Sequence, residues 1–395
     1  MSSLAGGASA QSRARRPIPP EWGDVDMVGR GPCSERWRSS HGIHQQKVTW
    51  VFDQGGPVLG YTCEGNPLTA EHWLALQHVP FGPGGIASAW ENDAARLLLE
   101  VVGKYAVGGA DRVRFLANGS DALDCAVRLA RAHTGRERIC SIGYHGSSAM
   151  FAFPPQWEGI PMGVRGLTEK YPWAIMPPPY GAYACVVVEV PSDDEEAPSY
   201  LLDLQKFCDR TGALLILDEV VTGFRLALGG AAERYGVTAD LLCYGKAMSN
   251  GRPISAVVGR AELMDRLDKD VFYSNTYNGD PHSCAQVIAT LKYLRANADA
   301  AYRQLWGIGE HLRFAMAGVG VTLRGHAPRM YLDFGNGDED AAEANERRRE
   351  FCRRMVARGV IVDQPFYTSL AHTPADVQFT EQAAKAVMET LNGGF

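Results

Sequence analysis

The chain is expected to fold as an α/β protein built on a mostly parallel sheet flanked by helices. Leu214 to Leu217 and Leu241 to Tyr244 are short continuous apolar runs of the kind that a strand covered on both faces requires. Each run ends in chemistry. Asp218 and Glu219 follow the first, and Gly245 and Lys246 follow the second. Open α/β sheets bind ligands in the crevice outside the carboxyl ends of their strands, so Asp218 and Lys246 are expected to face one pocket.

Helical patterns flank these runs. From Glu91 to Tyr105 the apolar positions Ala94, Leu97, Leu98 and Val101 recur at helical spacing. Val113 to Leu116 reads as a strand, Asn118-Gly119-Ser120 as a turn, and the next stretch as a helix capped by Ser120. That helix has Asp121 and Asp124 in its first turn, Leu123, Ala126, Val127 and Ala130 on its apolar face, and Arg131 and Gly135 at its end. Ile139 to Ile142 and Tyr183 to Val190 read as further buried strands, and Leu201 to Thr211 as a helix. The proline- and aromatic-rich stretch from Phe151 to Tyr183 is expected to wind over the surface. Beyond a long helical region from about Ala285 towards Phe314, Val319 to Leu323, Met330 to Phe334 and Val360 to Val362 are strand candidates, and Glu343 to Arg358 is a charged helix.

Composition narrows the function. The 395 residues are 46% hydrophobic and 21% charged with a net charge of -6, an ordinary balance that gives no reason to expect nucleic acid. No apolar run reaches the ~18 residues of a membrane span, and the N-terminus lacks the apolar core of a signal peptide, so a cytoplasmic protein is expected. The 9 cysteines form no CxxC or Cys/His cluster, and no metal is expected. His41 and His44 have no third ligand nearby and read as part of a solvated polar segment, as does the acidic loop Ser192 to Pro198. Residues 1–20, with Arg13, Arg15 and Arg16, read as a disordered arm.

The residues at the strand ends admit several readings. An aliphatic strand ending in Asp-Glu is an ordinary strand end, the Walker B partner of a nucleotide site, or the carboxylate that keeps a pyridine nitrogen protonated beside a lysine that attacks carbonyls. A nucleotide site also needs GxxxxGK followed by Ser or Thr; here Ala247 follows Gly245-Lys246, and Asp240 stands where the first glycine belongs. No GxGxxG follows a strand either. Lysine and carboxylate together are the two fixed needs of a pyridoxal 5'-phosphate (PLP) enzyme.

Four segments carry a family resemblance: FLANGSDALDCAVRLARAHTGR from Phe115, GYHG from Gly143, DEVVTGFR from Asp218 and YGKAMSNGRPISAVVGR from Tyr244. Together they resemble the class III aminotransferases of PLP fold type I, in particular the glutamate-1-semialdehyde 2,1-aminomutase branch, over most of the chain from about Gly56. The resemblance implies a large PLP-binding domain over residues 76–285. It implies a smaller α+β domain from residues 21–75 and 286–395, the latter with a linking helix. Lys246 is then the residue that holds PLP covalently and Asp218 the partner of its pyridine nitrogen. Gly119 and Ser120 take its phosphate at a helix N-terminus, Tyr144 stacks on one face of its ring, and Val220 touches the other. His145 supports from behind. In the segment YSNTYNGDPHSC from Tyr273, Thr276 is expected to cross to the phosphate of a second subunit, which makes a homodimer with shared sites the functional unit.

The implied activity is amino-group transfer between a small-molecule donor and a keto or aldehyde acceptor by a ping-pong route. An intramolecular aminomutase and a non-catalytic binding protein are the alternatives. Several features depart from the aminomutases: GPVLG from Gly56 is short, SNGRP from Ser249 replaces a glycine triplet, Val190 separates Glu189 from Pro191, and no substrate-binding glutamate precedes the SLAHTPADV ending. Arg165, Arg225 and Arg252 are the candidates for a substrate carboxylate clamp.

Overall fold

A computed structural model describes residues 38–39, 42–43, 88–154, 157–180, 182–190, 197–250, 252–335, 341–358, 360, 362, 366–370 and 372–392. The expectations for residues 1–20, for His41 and His44, for KVTWVFDQGGPVLGY and for most of the acidic loop fall outside these residues. The described residues divide into two units between Tyr302 and Arg303, inside the long helix, whereas the sequence places a domain boundary after residue 285.

The larger unit opens on α1 (Ala89–Val102), capped by the Ser88 hydroxyl, which accepts the Glu91 N–H. Ala94, Leu97, Leu98 and Val101 are all buried, as their spacing requires. β1 (Arg112–Leu116) leads into α2 (Gly119–Thr134), and β2 (Ile139–Ile142) follows. β3 (Thr168–Tyr171), β4 (Cys185–Glu189), α3 (Ala197–Thr211) and β5 (Leu214–Glu219) come next. A short helix, α4 (Gly230–Tyr235), precedes β6 (Leu241–Tyr244) and β7 (Ser255–Gly259).

These strands form one seven-stranded sheet in the order β1-β7-β6-β5-β4-β2-β3. Pairing is parallel from β6 through β5, β4 and β2 to β3, while β7 runs antiparallel to both β1 and β6. Every residue of β2, β4, β5, β6 and β7 is buried, which is why their sequences are mostly apolar rather than alternating, with polar residues mainly at the strand ends. β3 lies within the stretch from Phe151 to Tyr183 that is expected to wind over the surface. It lies at the sheet edge with only half-buried or exposed residues, so TEKY has no apolar run to betray it.

The linking helix α5 (Pro281–Gly318) is broken at Asn297, whose φ of -124° and ψ of 18° leave the helical region. In the smaller unit, β8 (Thr322–Arg324), β9 (Arg329–Asp333) and β10 (Phe366–Tyr367) form an antiparallel sheet. α6 (Ala341–Val356) and α7 (Pro374–Asn392) complete this unit. Val360 and Val362, expected in a strand, are buried outside any strand, and β10 lies a few residues further on. Among the described residues no helix is long and apolar enough to cross a membrane.

The centre of the larger unit is tightly filled, and Ile216 of β5 is fully buried within it. Ile216→Ala is expected to cost about 2–5 kcal/mol through lost contacts and an unfilled cavity. Urea unfolding should show the loss, while Arg96→Ala on the exposed face of α1 should stay within about 0.5 kcal/mol of the parent.

Candidate active site

The parallel register of β5 and β6 sets Asp218 opposite Cys243 and Glu219 opposite Tyr244, so both strands deliver their last residues at the same edge. Lys246 lies two residues beyond Tyr244, where β6 ends. Its φ of 42° lies in the left-handed region, which a non-glycine residue adopts at a cost of about 1–3 kcal/mol. Gly245 before it is extended, and a Cβ placed there would touch Val220 Cγ1 at 3.4 Å. Val220 reaches Gly119 as well, where an added Cβ would lie 2.8 Å from the same methyl. Thus Gly119, Val220 and Gly245, from three separate chain segments, meet beside the lysine.

Asp218 is 3% exposed. Its Oδ2 lies 2.8 Å from His145 Nδ1, and its Oδ1 accepts the Val220 N–H at 3.1 Å. His145 is buried as well, tilted against the Phe151 ring. The histidine therefore orients the carboxylate, consistent with a supporting position.

At the start of α2 the capping residue is Asn118, not Ser120: the Asn118 side chain accepts the Asp121 N–H at 3.1 Å. That frees Ser120 for another task. Its Oγ accepts the Ser147 N–H at 3.1 Å, and Gly146, at a φ of 82°, comes so near that a Cβ there would stand 2.3 Å from this oxygen. The Ser120 hydroxyl proton and the Gly119 and Ser120 amides at the start of α2 are left to meet an anion. Neighbouring bonds brace this corner: Ser148 donates to Asp124 at 2.7 Å and Ser255 to the Asn118 carbonyl at 2.6 Å. The sequence pattern places Asn118 in the turn but not as the cap, and it gives Ser147 and Ser148 no role; the GSS that follows GYH was the available signal.

Tyr144 leaves the end of β2 with its side chain 64% exposed and its N–H donated to Glu189 Oε2 at 3.2 Å. Thr276 is exposed in the turn ahead of α5, where Asp280 caps the helix by accepting the Ser283 N–H. Of the proposed clamps, Arg165 donates to the carbonyls of Ile160 and Trp157, Arg225 is buried, and Arg252 is half-buried.

A planar ring bearing a phosphate fits these residues, because glycine at 119 and 146 lets Val220 and Ser120 pack directly against the backbone, and donors converge at that corner. Residues 193–316 match the class III aminotransferase family model. A glutamate-1-semialdehyde 2,1-aminomutase of Methanopyrus kandleri is 33% identical over 341 residues, covering 73% of this chain and 76% of that protein. Another, from Natranaerobius thermophilus, is 30% identical over 382 residues and 85% of each chain. A solved structure of the FumI protein of Sphingopyxis sp. MTA144, in its PLP internal aldimine form, superposes with a TM-score of 0.75 at 26% identity, covering 86% of this chain and 83% of that one. The fold is that of the PLP-dependent transferases of fold type I. Within that fold, the chain belongs to the class III aminotransferases and is a PLP-dependent enzyme.

Glu219, fully buried next to Asp218, braces the segment that follows. It takes hydrogen bonds from Thr222 Oγ1 and from the N–H groups of Ala231 at 3.0 Å and Ala232 at 2.7 Å. Burial pushes its carboxyl up to about 7, with the Asp218 charge adding to the rise and the three hydrogen bonds opposing it. The folded chain therefore holds a proton that the unfolded chain releases near the ordinary value of 4.5. Stability from this proton is full below pH 4.5 and is lost as pH rises through about 7. Glu219→Gln is expected to flatten that decline, by up to about 1.4 kcal/mol per pH unit. Urea unfolding across this window measures it, and an unchanged slope in the variant assigns the decline to another group.

Proposed function

We propose that the enzyme moves an amino group from a donor to a separate keto or aldehyde acceptor in two half-reactions, with Asp218 and Lys246 as its central residues. The observation that carries this reading is their delivery by adjacent parallel strands to one edge, with Val220 seated between Gly119 and Gly245. When bound, PLP supplies an electron sink for the carbanion formed at the substrate carbon. The Nζ of Lys246 holds the cofactor between turnovers and, once released, moves the proton at that carbon as base and then acid. Asp218, oriented by His145, keeps the pyridine nitrogen protonated. Gly119, Ser120 and the amides around them bind the phosphate, and Tyr144 and Val220 hold the ring flat between them so that the breaking bond stands perpendicular to it.

The same reading makes the functional unit a homodimer, in which Thr276 of one subunit reaches the phosphate held by Gly119 and Ser120 of the other. The exposed Phe272 and Tyr277 beside Thr276 suit burial against a second copy. Free thiols at Cys125, Cys140, Cys185, Cys208, Cys243 and Cys284 suit the reducing cytoplasm. An intramolecular aminomutase is the second reading, favoured by the names of the two curated relatives. It uses the same residues on one substrate, so dependence of turnover on an added amino donor separates the two.

Borohydride treatment of the holoenzyme is expected to fix the cofactor to the peptide carrying Lys246, and Lys246→Ala should give no labelled peptide and no turnover. Labelling at another lysine would remove Lys246 from the mechanism. Asp218→Asn keeps the shape of the carboxylate but not its charge. It should lower turnover by a factor on the order of 100 or more while PLP still binds, and near-normal kcat would reject the pairing. For the shared site, Lys246→Ala chains mixed with Thr276→Ala chains should regain activity on subunit exchange, because one site of each mixed dimer then has both residues intact. Verified mixed dimers without activity would show that each site is complete in one chain.

A further inference from the structure

Tyr144 carries a ring that is 64% exposed, yet its position on the backbone is closely determined. The chain leaves β2 through Gly143, at a φ of 104°, and crosses the end of β4 so closely that a Cβ at Gly143 would lie 2.9 Å from Glu189 Cβ and 3.2 Å from the Glu189 carbonyl oxygen. One residue on, the Tyr144 N–H donates to Glu189 Oε2 at 3.2 Å, and the following residue, His145, is buried against Asp218. Glu189 is itself paired in register with Asp218 on the neighbouring strand. The peptide that bears the ring is thus held by a carboxylate on one side and by the His145–Asp218 contact on the other.

We propose that Glu189 is a positioning residue, whose carboxylate fixes the Tyr144 peptide so that the ring stands at stacking height over the cofactor. This rests on the reading that Tyr144 stacks on PLP. The physical reason is that a stacked ring gains only when its plane and offset are set. An exposed tyrosine has two free side-chain torsions, so anchoring the peptide that carries them removes the remaining backbone freedom. The register pairing with Asp218 offers a competing role, in which the Glu189 charge acts on its acidic neighbour. Glutamine separates the two, because its carbonyl oxygen accepts the same bond without the charge.

The test uses full-length protein and two readouts: the dissociation constant for PLP by equilibrium dialysis, and the circular dichroism induced in the bound cofactor. Tyr144→Ala is expected to weaken binding about three- to ten-fold and to lower the induced signal. Glu189→Met, which keeps bulk without an acceptor, should match both effects. The double variant should be no worse than Tyr144→Ala alone, since the two residues act through one ring. Glu189→Gln should stay within about two-fold of the parent in affinity and keep the signal. Parent-like Glu189→Met beside an impaired Tyr144→Ala would overturn the proposal alone. So would additive losses in the double variant, or a Glu189→Gln as impaired as Glu189→Met, which assigns the effect to charge. Parent-like Tyr144→Ala would remove the stacking reading and the proposal with it. If Glu189→Met does not fold, Glu189→Ala takes its place in the cycle, and failure of both to fold would assign Glu189 to the fold rather than to the ring.

Discussion

The parallel hydrogen-bonded ladder between β5 and β6 is the constraint from which the site follows. It places Glu219 across from Tyr244, so the chain emerges from both strands at one edge, with Asp218 on one and Lys246 just beyond the other. Neither residue needs a contact with its counterpart to be positioned, because main-chain pairing does that work. Burial on both faces of these strands keeps the ladder dry, and a dry ladder resists slippage because each displaced backbone group would lose its partner away from water. Local chain geometry adds the last adjustment at Lys246, whose left-handed backbone is held by structure on either side.

Around this pair the corner between α2 and the turn after β2 is built from close backbone approaches. Gly119 lies against Val220 and Gly146 against Ser120, and a side chain at either glycine would collide with that neighbour. The two glycines therefore serve opposite ends of one requirement: Gly119 admits the apolar contact and Gly146 brings the Ser147 amide to Ser120. Two buried carboxylates divide the labour at the end of β5. Asp218 faces His145, whereas Glu219 turns to the amides of α4 and holds the following segment.

Much of this was legible from the residues. Continuous apolar runs marked β2, β4, β5 and β6, and helical spacing marked α1 and α2, because burial of a face imposes a period that any reader of the chain can count. The edge strand β3 has no such signal, since TEKY lacks a buried face, and the cap of α2 is ambiguous in the residues because Asn118 and Ser120, two residues apart, both carry capping side chains. Only geometry shows that Asn118 takes the Asp121 amide while Ser120 turns towards Ser147.

The sequence by itself determined the fold class, the order of the buried elements and the two residues at the strand ends, because each depends on local pattern or on a contiguous motif. Tertiary structure decided what meets there: His145 with Asp218, Val220 with both Gly119 and Gly245, and Glu189 with Tyr144. These partners are far apart along the chain and are joined by the spatial strand order β1-β7-β6-β5-β4-β2-β3. Hydrophobic periodicity reports which face of an element is buried, but it carries no record of which other element covers that face, and so the contacts between strand ends had to be seen to be known.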